Sequence, residues 1–477
     1  MQNITIELPI WQFALLCLLA LWAALGSLLI PSVRWFLRRR VNKVIDEINA
    51  RLPIRIQSFK LTKREVLIDR LIFDPEVLKA AEVEAEEHGR RREEVQAEVR
   101  KYAREIVPSF NAYAYFRLGY WLARWCARLL YRVRLAYADE EGLAEVKENS
   151  SVVFIMNHRS NMDYILVAYL AATKSALSYA VGEWARIWPL QTLIKTLGAY
   201  FIRRKSGNQL YRKVLARYVH MATEGGVVQA VYPEGGLSRD GKLQPVKLGL
   251  LNYMVSSFDP TGERDILFIP IGINYDRVIE DRSLVRRHDT SAERKSKGFV
   301  ISTTLKFLLH NLKLILTRRW YRFGYAGVNF GSPVSLKKYL TDRSIDFRNL
   351  DDEKRFAEIE SLGKNLIDAV AEVIPVLPVS LVSTVLSRDV ENGFEAREYS
   401  ELELKVAVQR LIRELEERGA HVYIPREDRE YAVTVGLRML TLRRLIILEE
   451  GLYRANTSEL PLIRYYANAI AHLLPSP

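Results

Sequence analysis

The chain has 477 residues, 49% of them apolar, and a formal net charge of +13. That apolar share supports a substantial core and excludes wholesale disorder, and the length allows two or three domains or one large domain with helical additions. Two cysteines, Cys17 and Cys126, exclude a disulfide framework, and neither belongs to a CxxC or Cys/His cluster of the kind that binds zinc.

The excess of cations calls for an anionic partner: nucleic acid, an anionic membrane or a phosphorylated substrate. The amino-terminal segment helps to choose. Residues 10–30, IWQFALLCLLALWAALGSLLI, hold no charge, and roughly 20 apolar residues suffice to span a bilayer. Arg34, Arg38, Arg39 and Arg40 follow directly, whereas only Glu7 precedes. A cleaved signal peptide carries its basic residues ahead of the apolar run, so residues 1–40 are predicted to be a membrane anchor with its basic flank. The positive-inside rule then puts everything after it on the cytoplasmic side of the cell (inner) membrane.

Residues 41–140 read as a helical region. Within them 75–107 are dense in Glu, Arg, Lys and Ala and open on Pro75, a good first helical residue, so a solvated helix is predicted. In 110–135, FNAYAYFRLGYWLARWCARLLYRVRL, five arginines alternate with aromatics and no acid appears. A helix lying on a membrane surface fits that pattern, with a core helix whose arginines snorkel outward as the alternative. No recognised nucleic-acid fold surrounds these aromatics, which argues against a nucleic-acid partner.

Between 141 and 345 short β-branched runs alternate with helical ones: SVVFIM, LSYAV, GAYFIRR, VVQAVYP, DILFIPIGINY and YAGVNFGSPV. The alternation predicts an α/β domain with a mixed or parallel sheet flanked by helices. Beyond 346 helical segments dominate to residue 477, at 353–374, 401–418, 430–450 and 460–474. No fixed-period repeat suggests a solenoid.

Four segments of the sheet region carry chemistry. After SVVFIM the polarity flips to Asn157, His158, Arg159, Ser160 and Asn161, and a helix resumes with Ser160 or Asn161 as its N-cap. His158 is thereby placed in a loop at the carboxyl end of a strand, with Asp163 in the first helical turn, and ligands bind in that crevice in open α/β sheets. GAYFIRR ends on Arg203 and Arg204. YPEGGLSRDGK joins an acid to paired glycines, a serine and cations, which suits a phosphate or oxyanion. FIPIGINYDRVIE puts Pro270 inside a strand, an unusual place for it.

In combination these segments resemble the four signature blocks of the glycerolipid acyltransferases: NHRSNMD, GAYFIRR, PEGGLSRDGK and IPIGINYDRV, in the family's order over roughly residues 150–280. The carboxyl-terminal LPLIRYYANAIAHLLP is similar to the closing helix of the glycerol-3-phosphate acyltransferases. The resemblance implies acyl transfer from acyl-CoA or acyl-carrier protein to the sn-1 hydroxyl of glycerol-3-phosphate, with His158 and Asp163 catalytic. It implies substrate-binding roles for Arg203, Arg204, Glu234, Gly235, Gly236, Ser238, Arg239, Lys242, Lys247 and Pro270, and neither a metal nor a cofactor. Membrane lipid is an expected partner, and oligomerisation is left open. Lysophosphatidate and dihydroxyacetone phosphate are alternative acceptors, and a non-catalytic membrane scaffold is the alternative outside enzymology.

The chemistry points the same way. Acyl transfer from a thioester to an alcohol needs a base near neutral pH, which an imidazole supplies, and a carboxylate on its other nitrogen fixes the tautomer. GxSxG is absent, so direct attack by the acceptor fits better than an acyl-enzyme. Backbone N–H groups near Gly235 and Gly236 are the expected oxyanion donors. One departure stands out: many glycerol-3-phosphate acyltransferases read Glu-Gly-Gly-Arg-Ser-Arg in the third block, where this chain has Leu237 in place of the first arginine.

Overall fold

The computed structural model describes residues 56–171, 175–182, 186, 190–203, 206–288, 322–391 and 397–475. The predicted membrane anchor lies outside them. Among the described residues no helix is long and apolar enough to cross a membrane.

Eight strands form one mixed sheet among these residues: β1 (Arg132–Ala138), β2 (Ser151–Met156), β3 (Ser178–Val181), β4 (Tyr200–Phe201), β5 (Gln229–Val231), β6 (Ile266–Tyr275), β7 (Tyr325–Phe330) and β8 (Val334–Ser335). The spatial order is β1-β7-β6-β2-β5-β3-β4, with β8 beside β6. From β6 to β4 all neighbours are parallel, whereas β7 and β8 run antiparallel to β6. The α/β class with a mixed sheet and flanking helices is therefore as expected. All six residues of β2 are buried, as both faces of a parallel strand are covered. Val153 and Ile155 join the core formed with the helices Pro75–Glu87, Arg92–Ile106, Gln209–Glu224, Gly249–Val255 and Asp352–Glu372.

Several sequence expectations need correction. The 75–107 segment is a helical pair, Pro75–Glu87 and Arg92–Ile106, not one solvated helix. Gly89 turns the chain at φ +60°, a conformation that ends helices. Each helix buries one face, through Val77, Ala81 and Ala85 and through Val95, Val99, Tyr102, Ala103 and Ile106. The 110–135 segment is helical only to Leu130, and Arg132 and Arg134 belong to edge strand β1. Tyr131, at φ −128° and ψ 158°, makes the switch. Its signal was present: from Arg132 the side chains alternate with period two rather than 3.6.

Beyond β8 helices dominate, including Pro378–Glu391, which periodicity missed. A small sheet also stands here, β9 (Tyr399–Ser400), β10 (Ile446–Glu449) and β11 (Leu452–Ala455), in the order β10-β11-β9. The predicted 430–450 helix therefore ends at Leu442 and turns into β10.

Candidate active site

Three loops leave the carboxyl ends of the adjacent parallel strands β6, β2 and β5. The loop after β2 begins with Asn157, whose Nδ2 donates to the Ile273 carbonyl at 2.8 Å while its Oδ1 accepts from Ile273 N at 2.8 Å. The side chain thus continues the β2–β6 ladder by one step and fixes where His158 begins. Ser160 Oγ accepts from Met162 N at 3.1 Å, capping the Met162–Ala171 helix.

That cap sets Asp163 against His158. Asp163 Oδ2 accepts from His158 Nδ1 at 2.9 Å, Arg159 N at 2.8 Å and Ser160 N at 3.0 Å, and Oδ1 accepts from the Tyr275 hydroxyl at 2.6 Å. Asp163 is fully buried and His158 is 1% exposed. A carboxylate so deep needs these donors. With Nδ1–H directed at Asp163, the lone pair lies on Nε2, and among the described residues no hydrogen bond engages that nitrogen. The Tyr232 ring stacks on the imidazole at 4.0 Å, and Tyr164 meets it edge-on at 5.6 Å.

The loop after β5 holds the histidine's backbone from both sides. Glu234 Oε1 accepts from His158 N at 2.7 Å and Oε2 from Gln244 N at 3.0 Å, while Ser238 N donates to His158 O at 3.0 Å. Burial pushes the Glu234 carboxyl up to about 8, against the pull of the two N–H donors. Ser238 Oγ donates to Lys242 O at 2.7 Å. Glu234 and Ser238 are thus engaged within the protein, shaping the loop. Gly235 stands at φ +65°, and its N–H donates to Tyr232 O at 2.9 Å. That N–H is therefore not open to an oxyanion, whereas those of Gly236 and Leu237 engage no hydrogen bond among the described residues.

The predicted cations divide. Arg239, Lys242 and Lys247 are exposed on this loop. Arg203, beyond edge strand β4, gives Glu105 two contacts, Nε at 2.9 Å and Nη2 at 2.6 Å. Three strand positions separate β4 from β2, roughly 14 Å at the usual strand spacing, so the fold does not gather Arg203 beside His158. Arg204 lies outside the described residues. Pro270 sits in β6 between Phe268, paired with β8, and Ile271, paired with β7. Its missing N–H falls where the partner strand changes, and its carbonyl accepts from Gly331 N at 2.8 Å.

Sequence reasoning missed the second layer. Tyr275 stood within the fourth block without a role. Glu280 accepts from Ser160 Oγ at 2.7 Å and Asn161 Nδ2 at 3.0 Å. Its neighbour Asp281 accepts from both Arg443 and the Tyr466 hydroxyl. The carboxyl-terminal helix Leu460–Ala467 also sets the Tyr465 ring 4.7 Å from the Arg159 guanidinium, and beyond it Asn468 Nδ2 donates to Asp240 O at 2.8 Å. Gly241, whose carbonyl accepts from Arg159, has no room for a side chain: a Cβ there would lie 2.0 Å from Tyr465 O. Contacts across such sequence separations leave no local signal.

Comparison with known proteins gives two family regions and a set of relatives. The family model for Acyltransferase matches residues 138–274, and that for the Glycerol-3-phosphate acyltransferase C-terminal region matches 308–477. A glycerol-3-phosphate acyltransferase of Ectopseudomonas mendocina is 26% identical over 434 residues, 87% of this chain and 50% of its own length. One from Aeromonas hydrophila subsp. hydrophila is 26% identical over 429 residues, 88% and 51% of the two chains. The chain thus spans about half the length of these curated relatives. The crystal structure of the 1-acyl-sn-glycerophosphate (LPA) acyltransferase from Thermotoga maritima matches at 16% identity and a TM-score of 0.29, over 53% of this chain and 77% of that one, a likeness on which nothing further is built. Its two family regions and these relatives make the chain similar to the glycerol-3-phosphate acyltransferases over most of its length.

Proposed function

We propose that this chain transfers an acyl group from acyl-CoA or acyl-carrier protein to the sn-1 hydroxyl of glycerol-3-phosphate, giving lysophosphatidate in the first step of phospholipid synthesis. One observation carries the reading: His158 Nδ1 is tied to Asp163, while among the described residues no hydrogen bond engages Nε2. As the acceptor oxygen attacks the thioester carbonyl, its proton passes to Nε2, and Asp163 stabilises the imidazolium. Collapse breaks the C–S bond, and the thiolate takes the proton back from Nε2. No acyl-enzyme forms. Arg239, Lys242 and Lys247, exposed on the loop that braces His158, are the cations offered to the acceptor's phosphate.

The site works at a membrane on this reading. Residues 10–30 anchor the chain, and charge bias puts the catalytic domain in the cytoplasm. A second element supports this: Leu118, Trp121 and Trp125 are 51%, 60% and 53% exposed, with Arg117, Arg124 and Arg128 interleaved, the composition of an interfacial helix.

The deciding experiment offers acyl-CoA to purified protein with glycerol-3-phosphate, lysophosphatidate and dihydroxyacetone phosphate side by side. Product from glycerol-3-phosphate alone is expected. Product only from either other acceptor overturns the assignment, and protease protection of the carboxyl terminus in inverted vesicles overturns the topology.

A further inference from the structure

Among the described residues, buried tyrosine hydroxyls without a hydrogen-bond partner include those of Tyr179, Tyr200 and Tyr232. A hydroxyl withdrawn from water without a partner destabilises the fold, and such groups in native proteins call for an explanation. Tyr200, in β4, packs into the main core with its ring 5.4 Å from that of Tyr218. Tyr232 is differently placed. It follows β5 at the active end of the sheet, is 9% exposed, and stacks on His158 with centroids 4.0 Å apart and planes at 26°. The edge of Tyr164 closes against it at 4.9 Å. Two residues on, Glu234 takes the His158 N–H, so phenol and imidazole are locked to one another by the backbone.

We propose that the Tyr232 hydroxyl donates a hydrogen bond to the thioester carbonyl oxygen as it becomes an oxyanion. The role rests on the acyl-transfer reading above. As the acceptor oxygen bonds to the carbonyl carbon and its proton moves to Nε2, the C=O π pair moves onto oxygen. That oxygen accepts from Tyr232 until the C–S bond breaks and the thiolate recovers the proton from the imidazolium. The phenol gives up no proton: burial, and then the charge of Asp163, push its pKa well above the ordinary value. A donor held in place before the reaction needs no reorganisation when charge develops. Its missing partner in the protein without substrate is then the cost of that readiness.

The test compares wild type, Tyr232→Phe and Tyr200→Phe, each with acyl-CoA alone and with glycerol-3-phosphate, following thioester cleavage by water as well as acyl transfer. Tyr232→Phe keeps the stacked ring. It is expected to melt at or above the wild-type temperature, because an unpartnered polar group is removed. Its kcat should drop about 10²–10³-fold in both reactions with the donor KM nearly constant. Tyr200→Phe should match the thermal result and keep wild-type kcat. A Tyr232→Phe enzyme with wild-type kcat overturns the proposal. So does one whose melting temperature falls, since the hydroxyl was then bonded within the free protein. Should the wild type cleave the thioester but ignore glycerol-3-phosphate, the acceptor assignment fails and the cleavage rates still decide the hydroxyl. Wild type without any thioester turnover overturns both.

Discussion

Glu105 grips Arg203 through Oε1 and Oε2, at 2.9 and 2.6 Å, with Arg186 also reaching Oε1. The hydrogen bond to Glu105 raises the pKa of Arg203 above the usual guanidinium range. An arginine so occupied serves first as a structural tie between the Arg92–Ile106 helix and the end of β4. Arg203→Ala should therefore lower stability by about 1.5–3 kcal/mol, the loss typical of a charge-assisted contact, seen in denaturant unfolding. Arg239→Ala should instead raise the acceptor KM roughly 10- to 150-fold, the equivalent of that energy, at unchanged donor KM. An Arg239→Ala effect confined to the donor would assign the loop to the donor's phosphates.

Removing the base tests the centre directly. His158→Ala should cut kcat about 10²–10⁴-fold in protein that still folds. Asp163→Asn presents an amide to four donors, so its NH2 opposes one or more of them and the imidazole loses its fixed tautomer. A comparable loss of rate is expected. Either variant, folded and near wild-type rate, would refute the proposed base.

Buried carboxyls make stability depend on pH. Burial lifts Glu234 to about 8 and Asp276 to about 7, whereas both titrate near 4 in the unfolded chain. The folded state therefore binds protons more tightly, and this contribution is complete below about pH 4 and lost as pH rises through 7 to 8. The melting temperature should fall between pH 5.5 and 8.5, with a shallower slope in Glu234→Gln. A flat profile in wild type would contradict the burial of these groups.

Arg443 tests the carboxyl-terminal brace. Asp281 is 3% exposed and is held by Arg443 and Tyr466. Arg443→Ala leaves that carboxylate buried without its cation, a change that costs about 3–5 kcal/mol. Because Glu280 next to it holds Ser160 and Asn161, kcat should fall as well. Unfolding free energy and turnover both unchanged would show that the brace is dispensable.

Local chemistry was legible in the chain. β2 spans the predicted SVVFIM residues, because a β-branched run bounded by polar residues has few other uses. The loop and cap that set Asp163 against His158 need only six consecutive residues, 158–163. The 75–107 break and the onset of β1 were harder, since helical composition runs on across both, and one backbone dihedral at Gly89 or Tyr131 decides each.

By itself, then, the sequence determined the strand, the turn and the His158–Asp163 pair, all governed by near neighbours along the backbone. Tertiary structure alone decided that Glu234 braces the histidine rather than facing outward, that Tyr275 is the fourth donor to Asp163, and that Glu105 holds Arg203. It also placed Tyr465 against Arg159 from the far end of the chain. Those partners depend on which strands become neighbours in the sheet, and a hydrogen bond between residues 76 or 112 positions apart leaves no periodic trace in either segment.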